Sequence, residues 1–229
     1  MKCQLRMCDG RHVGRRPEYE EARAVLTNGD DRGRLALVEA AGRCFAELGC
    51  ERTTEAVIAA AAGVSQAEFS ARFASRDDAF RAVAAAVFDT FVEAQRIPVP
   101  PDADPRSVLR AATAAFIETV YSSGRLFTMI EDRAAVDPVI GEQLEAAHNR
   151  ILGRYIRFIE RLNQAGIATP CAEPAQLARK LSEAQWTGAA RLIGASQDEQ
   201  RRFIVEMTAA SERFIGFGEV ADLTARAAS

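Results

Sequence analysis

Apolar residues recur every three or four positions along most of this sequence, which is the spacing that places them on one face of a helix. The first such face begins after Arg32 and consists of Leu35, Val38, Phe45 and Leu48. Gly49 follows it as a stop signal. No segment shows the two-residue alternation of a half-buried strand. The pattern therefore predicts an all-α protein.

Three further helices are predicted directly after Gly49, each behind a residue that can accept a hydrogen bond from the first turn. Thr53 or Thr54 caps the second helix, Ser65 the third and Ser75 the fourth. The fourth helix is long and amphipathic, and we expect it to continue to about residue 97. Prolines then crowd between residues 98 and 105, and this stretch is the clearest linker in the sequence.

The remaining pattern predicts a C-terminal helical bundle over residues 106–229. Helices are expected from about 106 to 121, after Gly124, after Pro138, from Pro174 and from Ser196, where Glu199 completes the order of a capping box. Residues 1–31 are rich in glycine and polar residues, and we expect them to form a flexible arm. After the arm we expect a small helical domain over residues 32–80, whose fourth helix continues beyond residue 80.

The segment from Glu55 to Phe73 has the pattern of a helix-turn-helix, in which two short helices meet over a tight turn. Ala59 is small where the helices would cross, and Gly63 tolerates a left-handed backbone in the turn. The second helix of this motif presents its N-terminal end to the DNA major groove. Its exposed positions would be Gln66, Ala67, Ser70 and Arg72. An ordinary helix pair in a bundle can share the Ala–Gly spacing, so the spacing alone leaves both interpretations open.

The residues around this motif resemble the TetR family of bacterial transcriptional repressors from Arg34 to Phe80. The resemblance rests on residues in family order: Val38-Glu39-Ala40-Ala41, Phe45, Gly49, Thr53-Thr54, Ile58-Ala59, Ala62-Gly63-Val64-Ser65, Phe73 and Ser75-Arg76-Asp77. It implies a three-helix DNA-binding domain over residues 32–80 and a homodimer on a palindromic double-stranded DNA operator. It also implies release from the operator when a small-molecule effector enters the C-terminal domain.

The same resemblance assigns roles to individual residues of the motif. Thr53, Thr54 and Ser65 would touch phosphates, while the exposed positions of the second helix would lie at the groove. We add Arg76 to these candidate DNA-binding residues.

Two positions depart from the family pattern. Ser70 stands where the family commonly has a phosphate-contacting tyrosine, and Glu68 places a negative charge where DNA approaches. In one account, Ser65 and Glu68 form a capping box, with Glu68 folded back onto the helix start. In the other, operator affinity is weak, or Glu68 accepts a hydrogen bond from cytosine. The sequence leaves both accounts open.

The charge balance counts against tight DNA binding. The formal net charge is −3, and the segment from Arg32 to Phe80 carries about as many acidic residues as arginines. Contacts to the phosphate backbone normally dominate affinity for DNA. The arginines of the N-terminal segment, Arg11, Arg15 and Arg16, form either a solvated tail or an arm that reaches a minor groove.

Large apolar side chains on the C-terminal helices either pack as core or line a cavity for a small, largely apolar effector. The candidates are Phe116, Tyr121, Phe127, Met129, Tyr155, Phe158 and Trp186. Glu131, Arg133 and His148 are the polar candidates for orienting a ligand.

The last two helices each carry a long apolar stripe. These stripes are Leu177, Leu181, Ala184, Gly188 and Leu192, and then Phe203, Ile204, Met207, Ala210, Phe214 and Phe217. Two such helices from each subunit can form a four-helix interface, or the stripes can pack inside one subunit.

Other function classes have weaker support. The sequence has no P-loop, G-x-S-x-G or H-E-x-x-H motif and only two histidines, so an all-α enzyme is the less favoured alternative. A helical protein-interaction module with weak or no DNA binding is another. The five cysteines form no close C-x-x-C pair, and we expect neither a metal nor another cofactor. Without a membrane-length apolar run or a signal-like N-terminus, we expect a cytoplasmic protein that binds no membrane.

Overall fold

Eight helices account for most of the chain in the computed structural model, which describes residues 30–98, 100 and 103–217. The first four helices are α1 (Asp30–Leu48), α2 (Glu55–Ala62), α3 (Gln66–Ser70) and α4 (Arg76–Ala94). The other four are α5 (Pro105–Ala134), α6 (Pro138–Gln164), α7 (Pro174–Arg191) and α8 (Gln197–Ile215). Within the described residues, the only β-type pairing is an isolated bridge between Ala168 and Phe217. The prediction of an all-α fold is confirmed.

The parts of the chain outside this description include the predicted N-terminal arm with Arg11, Arg15 and Arg16.

None of the described helices is both long enough and apolar enough to cross a lipid bilayer.

Hydroxyl caps start the helices where the sequence predicted them. Thr54 accepts a hydrogen bond from the backbone N–H of Val57 at α2, and Ser75 accepts one from Asp78 at α4. At α8, Ser196 and Glu199 form the full capping box, in which each side chain satisfies a backbone N–H of the other residue. Caps of this kind supply partners for the N–H groups that a helix start leaves unpaired.

A break divides the long helix α5. Gly124 has φ 52° and ψ −137°. This conformation is not helical, and residues other than glycine rarely adopt it. The sequence placed a helix boundary at the same glycine. The residues on either side of Gly124 therefore form two helical stretches in direct succession.

One continuous apolar core connects the small N-terminal helices with the C-terminal bundle. It runs from Leu37 and Phe45 in α1 through Phe80 and Phe88 in α4 to Ile117 in α5. The helix α4 packs against α1, α5 and α6. A second, smaller core lies between α5, α6, α7 and α8. The helix α4 therefore connects the small N-terminal helices with the C-terminal bundle.

Candidate nucleic-acid interface and effector cavity

A left-handed glycine makes the turn between α2 and α3. Gly63 has φ 71°, and its N–H donates to the carbonyl oxygen of Ala60 at 3.1 Å. Val64 follows and donates to Ala59 at 3.0 Å, which closes the end of α2. Ile58 from α2 and Phe69 from α3 are completely buried beneath the turn. The two helices thus form a helix-turn-helix with a fixed angle.

Glu68 is folded back onto the start of α3, as the first of the two accounts of this residue predicts. Its carboxylate accepts hydrogen bonds from the N–H and the hydroxyl of Ser65, both at 2.9 Å. The Ser65 hydroxyl in turn accepts from the N–H of Glu68 at 3.2 Å. The capping box is therefore confirmed. The hydrogen bonds from Ser65 lower the pKa of Glu68, so its carboxylate stays ionised on an exposed surface.

The other predicted residues of α3 point away from the core. Gln66, Ala67 and Ser70 are all exposed, while Phe69 between them anchors the helix. Thr54, at the start of α2, is also exposed. A shallow groove, lined by Thr54, Glu55, Ala56, Gln66 and Arg76, brings three of the predicted DNA-binding residues together.

Both candidate arginines have partners within the protein. Arg72 donates to the carbonyl oxygen of Glu68 at 3.1 Å. Arg76 donates to the carboxylate of Asp77 at 2.9 Å and to the carbonyl oxygen of Cys50 at 3.2 Å. Both side chains are half-buried. A contact with DNA would therefore have to share or replace these bonds.

Thr53 lies inside the domain and not at its surface. It is 0% exposed, and its hydroxyl donates to the carbonyl oxygens of Gly49 at 2.8 Å and Cys44 at 3.1 Å. These bonds fasten the start of α2 to the end of α1. Because the side chain has no path to a phosphate, we do not carry Thr53 forward as a DNA contact. The sequence could not separate it from Thr54, since two adjacent threonines offer the same hydroxyl.

A cavity of about 310 Å³ lies where the C-terminal end of α4 meets α5, α6 and α7. Phe116, Tyr155 and Phe158 line it, as the sequence analysis predicted for an effector site. Its other lining residues were not candidates: Gln95, Ile97, Val108, Leu109, Ala112, Thr113, Ile151, Arg154, Arg157, Arg161, Ser182 and Gln185. The short aliphatic residues have the pattern of ordinary core and the arginines that of a solvated helix face, so only the tertiary fold assembles this set.

The remaining candidates pack beside the cavity and do not line it. Phe127 and Trp186 form an aromatic cluster with Phe91 and Phe116, with ring centroids 4.7 to 5.9 Å apart. The indole N–H of Trp186 donates to Glu131, whose pKa is raised because burial disfavours its charged form.

Four further candidates also lie outside the cavity lining. Tyr121 and Met129 pack partly buried against the same core. The ring of His148 lies 6.3 Å from that of Trp186. Arg133 forms an ion pair with Asp77 at 2.7 Å, which joins the end of α5 to the start of α4.

The buried lining of the cavity contains polar, uncharged side chains beside its apolar ones. Gln185 is buried and donates to the buried hydroxyl of Ser211 at 3.3 Å. Burial raises the pKa of the neighbouring Tyr155 to about 12, so its hydroxyl remains neutral. Ser182 and Thr113 add two further buried hydroxyl groups.

Two hydrogen bonds from cavity-lining residues tie the end of α4 to the bundle. Gln95 donates to the carbonyl oxygen of Ala112 in α5 at 3.2 Å. Arg154 in α6 donates to the carbonyl oxygen of Val92 in α4 at 2.9 Å. The cavity is thus built against the helix that leads to the helix-turn-helix.

The predicted stripes of α7 and α8 pack largely inside the chain. Leu177 and Leu181 are buried, and Gly188 lies directly beneath the ring of Phe203, where a Cβ would come within 2.2 Å. The outer surfaces of the two helices nevertheless carry small and apolar residues. These exposed residues are Ala184 and Thr187 on α7, and Val205, Ala209 and Phe214 on α8.

Comparison with known proteins gives a match over the helix-turn-helix. Residues 37–83 match the model of the family described as "Bacterial regulatory proteins, tetR family". The match spans α1 to the first half of α4, which includes the helix-turn-helix. None of the curated proteins matches the sequence.

Solved structures extend the likeness to the whole fold. The structure of Salmonella enterica GusR has a TM-score of 0.64 and 18% identity, and the match covers 80% of this chain and 95% of GusR. A regulatory protein in the tetR family from Rhodococcus RHA1 has a TM-score of 0.64 and 17% identity, and the match covers 82% of this chain and 98% of that protein. The fatty acid degradation regulator FadR from Bacillus halodurans has a TM-score of 0.62 and 11% identity, and the match covers 82% of this chain and 95% of FadR. These likenesses show that the chain shares the fold of these regulators, and the family match is confined to residues 37–83.

Proposed function

We propose that this TetR-family protein is a repressor that binds a palindromic operator as a homodimer and leaves it when a small molecule fills the cavity. The observation that carries the proposal is the presentation of α3. Phe69 holds this helix in the core, while Gln66, Ala67 and Ser70 stand exposed on its outer side. A fixed helix with outward polar side chains is what base-edge recognition in the major groove requires.

The outer surface of α7 and α8 supports the homodimer. Val205 is 67% exposed and Phe214 47% exposed, although both are large apolar residues. Ala184 and Ala209 are small and exposed on the same two helices, so a second copy could approach closely. A two-fold pairing there would form a four-helix interface and would present two reading helices to a palindrome.

The hydrogen bonds at the end of α4 support a route for release. Gln95 and Arg154 both line the cavity and both hold the last turn of α4 to its neighbours. A ligand that draws these side chains towards itself favours a different position of α4. Since α4 packs against α1, that shift changes the spacing of the two reading helices in a dimer.

A protein-interaction module without DNA binding is the second candidate. It is favoured by the ionised Glu68 on the exposed surface of α3 and by the protein partners of Arg76. An acidic reading surface would repel phosphates, and the domain has little positive charge to compensate.

Fluorescence anisotropy with DNA from upstream of the gene separates these two functions. We expect binding at low salt, weakened about tenfold by Gln66→Ala because the variant cannot bond a base edge. Gln176→Ala, which changes an exposed glutamine on α7, is the matched control and should bind as the unaltered chain does. Deletion of residues 1–29 should make log Kd less dependent on log salt, by about 0.9 for each phosphate that the shortened chain no longer neutralises. Absence of binding at low salt would favour the interaction module.

A further inference from the structure

The cavity has a charge pattern opposite to that of the whole chain. Three arginines, Arg154, Arg157 and Arg161, are among its fifteen lining residues, and none of those fifteen is acidic. The chain as a whole has a formal net charge of −3. The arginines follow one another on α6 at spacings of three and four residues, which places them along one side of that helix.

Exposure separates the mouth of the cavity from its buried part. Arg157 and Arg161 are exposed, so they mark the mouth. The buried part of the lining holds the apolar side chains of Leu109 and Phe116 together with the neutral polar ones of Ser182 and Gln185. A ligand that fits this lining has a charged head at the mouth and an otherwise uncharged, largely apolar stem.

No acidic side chain of the described residues neutralises the two arginines at the mouth. Among the described residues, neither Arg157 nor Arg161 forms an ion pair. Arg154 donates to the carbonyl oxygen of Val92, and it too forms no ion pair within the described part of the chain. Guanidinium groups bind carboxylates through two parallel hydrogen bonds, and such bonds are stronger beside an apolar wall than in open water.

We propose that the effector is an amphipathic monocarboxylate whose carboxylate is held by Arg157 and Arg161 and whose apolar stem enters the cavity. This inference rests on the proposed function, because it assigns a ligand class to the proposed effector site. The cavity volume of about 310 Å³ is at the lower end for ligand sites, which favours a small acid. A cationic ligand would meet three like charges and no carboxylate at this site.

Isothermal titration of the full-length protein with three probes of equal stem length tests the inference. The probes are octanoate, octan-1-ol and octylamine, at neutral pH. We expect octanoate to bind about tenfold to a hundredfold more tightly than the alcohol, because a charged hydrogen bond is added. The amine should bind no better than the alcohol. In the double variant R157Q/R161Q, the Kd of octanoate should rise to that of the alcohol.

Arg150→Gln is the matched control, since Arg150 is an exposed arginine of α6 that does not line the cavity. This variant should retain the preference for octanoate. Equal affinities for acid and alcohol, a preference for the amine, failure of all three probes to bind, or full preference in R157Q/R161Q would each overturn the inference.

A parallel operator-binding assay distinguishes failure of this inference from failure of the proposed function. If octan-1-ol releases the DNA as well as octanoate does, the cavity is an effector site but the anionic ligand class is wrong. If octanoate binds through Arg157 and Arg161 without changing operator affinity, the ligand class is right and the proposed mode of release is wrong.

Discussion

The helix-turn-helix and the cavity differ in how far apart in the chain their parts lie. The motif is formed between Glu55 and Phe73, and its turn and caps are made by residues three to five positions apart. The cavity takes side chains from residue 95 to residue 185, on three helices and on the segment that follows α4. Local spacing therefore specifies the first region, whereas the second exists only once the bundle has assembled.

The two regions also differ in what their polar groups do. In the motif, Ser65 and Glu68 form hydrogen bonds with each other, and just before it Thr53 donates to backbone carbonyl groups. In the cavity, Arg157 and Arg161 have no charged partner among the described residues. Polar groups that are satisfied internally rigidify a structure, and groups left available can bind a ligand.

The largest expected effect is on the stability of the aromatic core beside the cavity. Phe127 is 1% exposed, and its ring packs against Phe91 and Trp186. We expect Phe127→Ala to lower the free energy of unfolding by about 3–5 kcal/mol, because it removes a fully buried ring from the core. Urea unfolding followed by circular dichroism measures this change.

Phe158→Ala is the matched change on the cavity wall. The ring of Phe158 is only half-buried, and we expect a decrease of about 1–2 kcal/mol in the free energy of unfolding, since less apolar surface is removed from the core. If the two variants are destabilised equally, the separation between aromatic core and cavity wall is wrong.

A smaller effect is expected from the two threonines that the sequence could not tell apart. Thr53→Val keeps the shape of the side chain but removes its hydroxyl, which should lower the free energy of unfolding by about 1–2 kcal/mol. Operator affinity of the folded protein should stay unchanged, because Thr53 is fully buried.

Thr54→Val provides the contrast. It removes the cap of α2, which should lower the free energy of unfolding by about 1 kcal/mol, and it should also weaken operator binding. Chemical unfolding and fluorescence anisotropy on the same preparations give both quantities. If folded Thr53→Val binds the operator more weakly, the exclusion of Thr53 from the DNA contacts is wrong.

These cases show what the sequence could and could not predict. Helix starts at Thr54, Ser75 and Ser196 follow from short-range hydrogen bonding, and the break at Gly124 from backbone sterics. The burial of Thr53 depends on how α1 meets α2, and no local pattern encodes that approach. The arginines of α6 face the cavity because of where α4 ends, which the sequence could not specify.

The aromatic residues also show what the sequence could not predict. Phe116 belongs to both the aromatic cluster and the cavity wall, while Phe127 belongs to the cluster alone. Both residues are large and apolar, so the sequence predicted the same role for them. Only the position of the neighbouring helices separates a ring that packs from a ring that a ligand can touch.

The smallest expected effect is the most informative about the exposed surface of α3. Glu68→Gln preserves a side chain that can accept a hydrogen bond from Ser65, as capping boxes with glutamine do, and removes the negative charge. We expect the operator Kd to fall about two- to fivefold, the size of effect that exposed charges usually have. Fluorescence anisotropy at several salt concentrations measures it, and Glu118→Gln, an exposed change on α5, is the control.

The opposite result would identify a different role for Glu68. If Glu68→Gln weakens binding and relaxes the preference for one base pair, the carboxylate accepts a hydrogen bond from a cytosine. Mild acid should not mimic the variant, because the hydrogen bonds from Ser65 lower the pKa of Glu68 below the usual range of a glutamate. Its charge is therefore present throughout neutral and weakly acidic conditions, and only the substitution removes it.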